Sequence, residues 1–120
     1  MSMAERDGEV RLERAAAPEA GQAVVDLAGE LDLAVAGDLR ALLEGVAADG
    51  PQLVVIDVTE VSFIDSTVLR EILRAHHAVT GAGGRMVIAG PQPAVERLLQ
   101  LTGTTEVFAI TTTRDEALAS

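Results

Sequence analysis

Cysteine, lysine, tryptophan and tyrosine are all missing from this chain, and Phe63 and Phe108 are its only phenyl rings. Each gap removes a class of chemistry. Without cysteine there is no thiol nucleophile, no thiolate metal site and no disulfide, although the compartment stays open. With two phenyl rings there is no platform on which successive nucleic-acid bases could stack. Unbroken apolar stretches are only a few residues long, as in Leu53–Ile56, far short of a membrane span. The opening "MSMAERDGEV" lacks the charged-then-apolar layout of a signal peptide, so a cytoplasmic protein that does not insert into a membrane is expected.

Charge of one sign dominates what is present. Nineteen acids face nine bases, all of them arginine, for a net charge of −10. Such a surface repels phosphate backbones, which argues against a nucleic-acid partner and is compatible with a basic protein surface. At 120 residues the chain is long enough for one domain that removes roughly 65% of its unfolded surface from water without a staple.

Residues 1–8 are polar and expected to be flexible, leaving 9–120 as the domain. "EVRLERA" (9–15) reads as a weak edge strand, and Pro18 and Gly21 mark a turn into a second strand, "QAVVDLAG" (22–29). The period then changes. Val35, Leu39, Leu42, Leu43 and Val46 fall at helical spacing, with Asp32 as N-cap and Gly50-Pro51 as the stop. "QLVVIDV" (52–58) is an apolar run suited to a strand covered on both faces.

A helix over 67–80 comes next, closed by the "GAGG" turn, and then a buried strand, "RMVIAG" (85–90). Pro93 suits a first helical turn, and Val95, Leu98, Leu99 and Thr102 share one face up to Gly103. "EVFAI" (106–110) reads as a short strand, and Thr113 to Glu116 has capping-box spacing for a terminal helix. Strands alternating with helices imply an α/β fold: a mixed sheet, with a front hairpin and mostly parallel strands, flanked by about four helices.

Most sites for chemistry fail on inspection. Asp57 in "VVIDV" stands where a receiver domain would carry its phosphoacceptor, but that chemistry also needs a lysine. "GAGGR" (81–85) runs from helix into strand, the reverse of a phosphate loop. His76 and His77 point about 100° apart and cannot share a metal. His76 falls on the apolar face with Leu69, Ile72 and Leu73, so a core-edge histidine with one satisfied nitrogen is expected. A Ser-His pair would need Ser66 beside an imidazole ten residues further down the same helix, roughly 15 Å away. No catalysis, metal or cofactor is expected of this chain.

"FIDSTVLREIL" (63–73) is different. Ser66 and Thr67 stand where the helix begins, and a hydroxyl there serves either as a cap or as a site favouring an anion. Arg70, Arg74 and His77 come after them at i, i+4 and i+7 as a basic stripe, with Arg70 one turn from Ser66. A solvated polar face explains the stripe equally well.

"LAGELD" (27–32), "VVIDVTEVSFIDST" (54–67), "GGRMVIAG" (83–90), "PAVERLLQLTG" (93–103) and "EAL" (116–118) together resemble an anti-sigma factor antagonist of the STAS family. The resemblance covers about residues 9–119, and "SFIDST" is its sharpest element. It implies that Ser66, after Asp65 and before Thr67, is phosphorylated by an anti-sigma factor that is also a serine kinase of the histidine-kinase-like ATPase type. Thr67 is the alternative acceptor. It further implies that the unphosphorylated form binds that kinase and releases a sigma factor, that phosphate abolishes binding, and that a serine phosphatase restores it. The implied partner-binding residues are Asp32, Asp65, Ser66, Thr67, Val68 and Arg70.

Val68 and Arg70 stand where the family usually has glycine, which would let a partner's backbone approach closely. A non-phosphorylated STAS subunit, supporting a transporter or a stress-signalling assembly, is therefore the competing expectation. With no unpaired apolar helix face evident, a monomer is expected.

Overall fold

A computed structural model describes residues 9–120; the expected flexibility of residues 1–8 lies outside them. Five strands form one sheet in the order β1-β2-β3-β4-β5. They are β1 (Arg11–Ala15), β2 (Gln22–Leu31), β3 (Leu53–Ile64), β4 (Arg85–Ala89) and β5 (Ala109–Thr111). β1 pairs antiparallel with β2, and every later pair is parallel. Between the parallel strands run α1 (Leu33–Ala48), α2 (Ser66–Gly81) and α3 (Pro93–Leu101), and α4 (Arg114–Ala119) closes the chain. The α/β reading, with its front hairpin and four helices, matches this architecture.

Consecutive parallel strands added in one direction put their right-handed crossovers on the same face. Val25 and Leu27, Val54 and Ile56, and Met86 and Ile88 accordingly meet α1, α2 and α3 in one core. Their alternating neighbours Val24, Val55 and Val87 meet Ala117 of α4 in a second, smaller one. A single six-residue helix covers that second face, and it is fastened by charge as well as by packing. Arg114 Nε lies 2.7 Å from Asp57, which is 7% exposed, and its guanidinium also reaches Asp26 at 3.5 Å.

Burial works against the charge on Asp57, but the Thr59 hydroxyl and N–H, with Arg114, outweigh it and hold the carboxyl below its ordinary value. Asp57 is therefore an anchor for the last helix.

Several ends shift by one or two residues, β2 running on to Leu31 among them, and two boundaries differ by more. β3 runs on to Ile64 rather than ending at residue 58, because it keeps pairing with β2 through two irregularities. "EVFAI" is only partly a strand: Thr104–Glu106 form a 3-10 turn after Gly103, which sits at φ 73°, and β5 begins at Ala109. The turn is set by Thr104, whose carbonyl takes the N–H groups of Val107 and Phe108.

His76 also differs. Its Nδ1 is buried with no hydrogen-bond partner among the described residues, and its ring meets Phe108 edge-on at 5.3 Å between centroids. The helix face that buries it offers aromatic and aliphatic neighbours rather than an acceptor. Burial first, and the neighbouring His77 second, push the His76 pKa down.

Candidate functional site

The corner where β3 meets α2 is shaped by its neighbour. β3 gains one residue on β2 between the pairs Asp26↔Asp57 and Ala28↔Glu60, and another between Gly29↔Val61 and Glu30↔Phe63. Bulges of this kind bend a strand and re-aim the residues beyond them. After them Leu31 and Ile64 are in register, so the two strands end side by side. Each then delivers an aspartate to the start of a helix, Asp32 to α1 and Asp65 to α2.

The two caps are unequal. Asp32 is exposed, and among the described residues its carboxylate accepts only from Ala34 N–H of its own helix, at 3.0 Å. Asp65 is half-buried and serves both helices. Its Oδ1 accepts from Val68 N–H in α2 at 3.0 Å, and its Oδ2 accepts from Leu33 N–H in α1, also at 3.0 Å. The Thr67 hydroxyl donates to the same Oδ1. Desolvation pushes the Asp65 pKa up, but the Thr67 hydroxyl and the N–H groups of Val68, Leu33 and Thr67 outweigh it and hold the carboxyl below the ordinary aspartate value. One carboxylate thus ties together two helix N-termini, each an end where backbone donors lack partners and the dipole is positive.

These contacts divide the labour between the two hydroxyls. Thr67 is half-buried and bound to Asp65. Ser66 is exposed at the first helical position, and its hydroxyl makes no hydrogen bond among the described residues. The cap that the sequence offered to the hydroxyls of Ser66 and Thr67 belongs instead to Asp65. Arg70 is exposed one turn on, with no ion pair among the described residues, whereas Arg74 is paired with Glu71 at 3.2 Å. The stripe of three bases is therefore interrupted.

Val68 requires a correction. It was expected among the partner-binding residues, but it is 0% exposed and sits in the core with Leu69 and Ile72. At the third position of α2 its side chain points at the sheet, so neither its bulk nor its branching faces outward. The other expected residues, Asp32, Asp65, Ser66, Thr67 and Arg70, lie at or within about one turn of the same corner.

Sequence reasoning missed two side chains there. Leu33, which opens α1, is 70% exposed, and Phe63, just before the corner, is 46% exposed. A signal was available for Leu33, which lies off the helical face set by Val35, Leu39, Leu42, Leu43 and Val46. None was available for the reach of Asp65 to Leu33 N–H.

The family model for the STAS domain matches residues 14–117. This chain belongs to the STAS domain family. It is 32% identical over 98 residues to the anti-sigma-F factor antagonist RsfB of Mycobacterium tuberculosis, covering 82% of this chain and 80% of that protein. The STAS fold superposes on the crystal structure of an anti-sigma factor antagonist from Mycobacterium paratuberculosis with a TM-score of 0.83, at 27% identity and 97% coverage of each chain. The Bacillus cell fate determinant SpoIIAA, solved in its phosphorylated form, shares the fold with a TM-score of 0.71 at 22% identity, covering 92% of this chain and 97% of that one.

Proposed function

We propose that this STAS domain is an anti-sigma factor antagonist switched by phosphorylation of Ser66. In its unphosphorylated form it binds an anti-sigma factor, a serine kinase of the histidine-kinase-like ATPase type, and a sigma factor is thereby released. The kinase transfers the ATP γ-phosphoryl group to the Ser66 oxygen, and a serine phosphatase removes it. ATP belongs to the partner, and this chain contributes a hydroxyl and a docking surface rather than a catalytic group.

The observation that carries the reading is the idle hydroxyl. Ser66 is exposed and makes no side-chain hydrogen bond among the described residues, at a corner where Asp65 already caps the helix and Thr67 is committed to Asp65. A phosphate there adds about −1.5 to −2 charges at a helix N-terminus, which the fold tolerates. A partner packed closely over the same corner does not tolerate it, because the dianion must be desolvated beside Asp65. A penalty of about 3–5 kcal/mol weakens binding by roughly two to three and a half decades. The names of the relatives support an anti-sigma factor as the partner.

The test is intact-mass measurement of the protein and its Ser66→Ala variant after incubation with ATP and each anti-sigma factor kinase from the same genome. One added phosphate on the unaltered protein alone is expected. Phosphate on both would move the site, with Thr67 next in line. Phosphate on neither, with kinases active on another substrate, would sink the switch and leave the structural-subunit reading standing.

A further inference from the structure

Among the described residues five large apolar side chains are exposed, and two of them, Leu33 and Phe63, stand at the Asp65 corner. Their neighbours in sequence behave differently. Leu31 is 0% exposed, Val61 0%, Ile64 4% and Leu69 4%, so the segments around the corner otherwise bury their apolar groups. Ile64 belongs to the core beneath α1, α2 and α3. Phe63, one residue earlier on the same strand, alternates to the opposite face of the sheet. Leu33 opens α1, on the side that Ile64 faces, and its N–H is held by Asp65 Oδ2 at 3.0 Å. The two side chains therefore flank the turn at Asp65, one on each side of the end of the sheet, with Ser66 the next residue along.

We propose that Leu33 and Phe63 are the apolar anchors of the docking surface for the anti-sigma factor, which straddles the end of the sheet and covers Ser66 beside them. This rests on the reading of the chain as an antagonist switched at Ser66, and it adds the two residues that make the switch physically effective. A phosphate abolishes an interface only if the interface is dry, since charge placed in water-filled contact is screened. Asp32, Asp65 and Ser66 are polar, and a surface made of them alone would stay wet. Two large apolar groups flanking the turn that leads into Ser66 exclude water from the position where the phosphate would form, which is where a ring of contacts has its effect.

The chemistry of the occupant is set by the rim. Glu30, paired with Phe63 across the two strands, and Asp32, next to Leu33, are both exposed carboxylates. The partner is thus a protein surface with apolar pockets for a leucine and a phenyl ring, and with a basic side chain facing the acids.

The experiment is titration calorimetry of the unphosphorylated protein against each anti-sigma factor kinase from the same genome. It compares Leu33→Ala, Phe63→Ala and, as a control, Leu101→Ala. Leu101 is 74% exposed at the end of α3, away from the corner, so it tests loss of an exposed apolar group as such. Leu33→Ala and Phe63→Ala are each expected to weaken binding by about tenfold or more, with Leu101→Ala unchanged and all three keeping the unaltered circular dichroism spectrum and melting temperature. Leu33→Met and Phe63→Leu should recover most of the affinity.

Binding by the unaltered protein that is indifferent to Leu33→Ala and Phe63→Ala, or equally reduced by Leu101→Ala, would overturn the inference while leaving the antagonist reading intact. Failure of every kinase to bind the unaltered protein would overturn the reading and the inference together.

Discussion

At Asp32 the chain passes from strand to helix with a cap that serves one helix; at Asp65, one strand over, the same kind of turn serves two. Both corners come after a parallel strand, both place an aspartate in extended conformation before the first helical turn, and both are followed by a valine three residues on. They diverge in what that valine does. Val35 is only partly buried, whereas Val68 is sealed in the core. The corner at Asp65 is thus held from below by packing and from above by a shared carboxylate, so its exposed hydroxyl sits on a rigid base. At the Asp32 corner the aspartate's own carboxylate makes one hydrogen bond among the described residues, and the bond to Leu33 N–H at the same helix start is lent by Asp65.

The largest expected effect tests the packing half of that contrast. Val68→Gly empties a fully buried site and adds backbone freedom within a helix. It should cost about 3 kcal/mol, and Val35→Gly about half as much, read as the shift in urea midpoint at constant slope. If Val68→Gly cost no more than Val35→Gly, the valine would have no special place in the core. Its outward role toward a partner would then have to be reconsidered.

The carboxylates come next. Asp65→Ala frees two helix N-termini and should cost about 2 kcal/mol, against about 1 kcal/mol for Asp32→Ala, where a single cap is lost. Equal costs would mean that the contact from Asp65 to Leu33 N–H contributes nothing. The pH dependence carries a matching sign. Because the folded carboxyl of Asp65 is held below its ordinary value, its contribution is fully present above the unfolded pKa. It is lost as the pH falls through the lowered folded pKa. Asp65→Asn should therefore flatten the acid limb of the stability curve measured by chemical unfolding, and an unchanged limb would contradict the shift.

How much of this was legible in the sequence differs between fold and site. Helix faces and strand runs were readable because they are periodic: Leu39, Leu43 and Val46 lie where their spacing puts them, and so do Val54, Val55 and Ile56. Local signals also sufficed for Asp32 as a cap, for Pro93 at the start of α3, and for Thr113, which accepts from Glu116 N–H at 3.1 Å. What could not be read depends on residues far apart in the chain. The prolongation of β3 to Ile64 comes from pairing with β2, and the short alternation in "TEVSF" does not match it, since it puts Val61, which is buried, in phase with Phe63, which is exposed. Gly29 is explained by its φ of 96° and by the approach to β1, where a Cβ would lie 2.8 Å from the Glu9 carbonyl oxygen. The bond from Asp65 to Leu33 joins residues 32 positions apart, and it converts a local cap into a clasp.

The smallest expected effect is the most telling about the hydroxyls. Ser66→Ala removes a group with no hydrogen bond among the described residues, and alanine is at home at the first position of a helix, so stability should change by less than about 0.5 kcal/mol. Thr67→Val keeps the shape of the side chain but deletes the donor to Asp65, and should cost about 1 kcal/mol. The two substitutions are adjacent and similarly mild, so their ratio is insensitive to the general tolerance of the helix. A substantial loss on Ser66→Ala, comparable to that for Thr67→Val, would mean that the serine supports the fold. Near-silence at Ser66 beside a measurable loss at Thr67 would mean that the fold has no use for the first hydroxyl, leaving a covalent or binding role as the reason for its place at the corner.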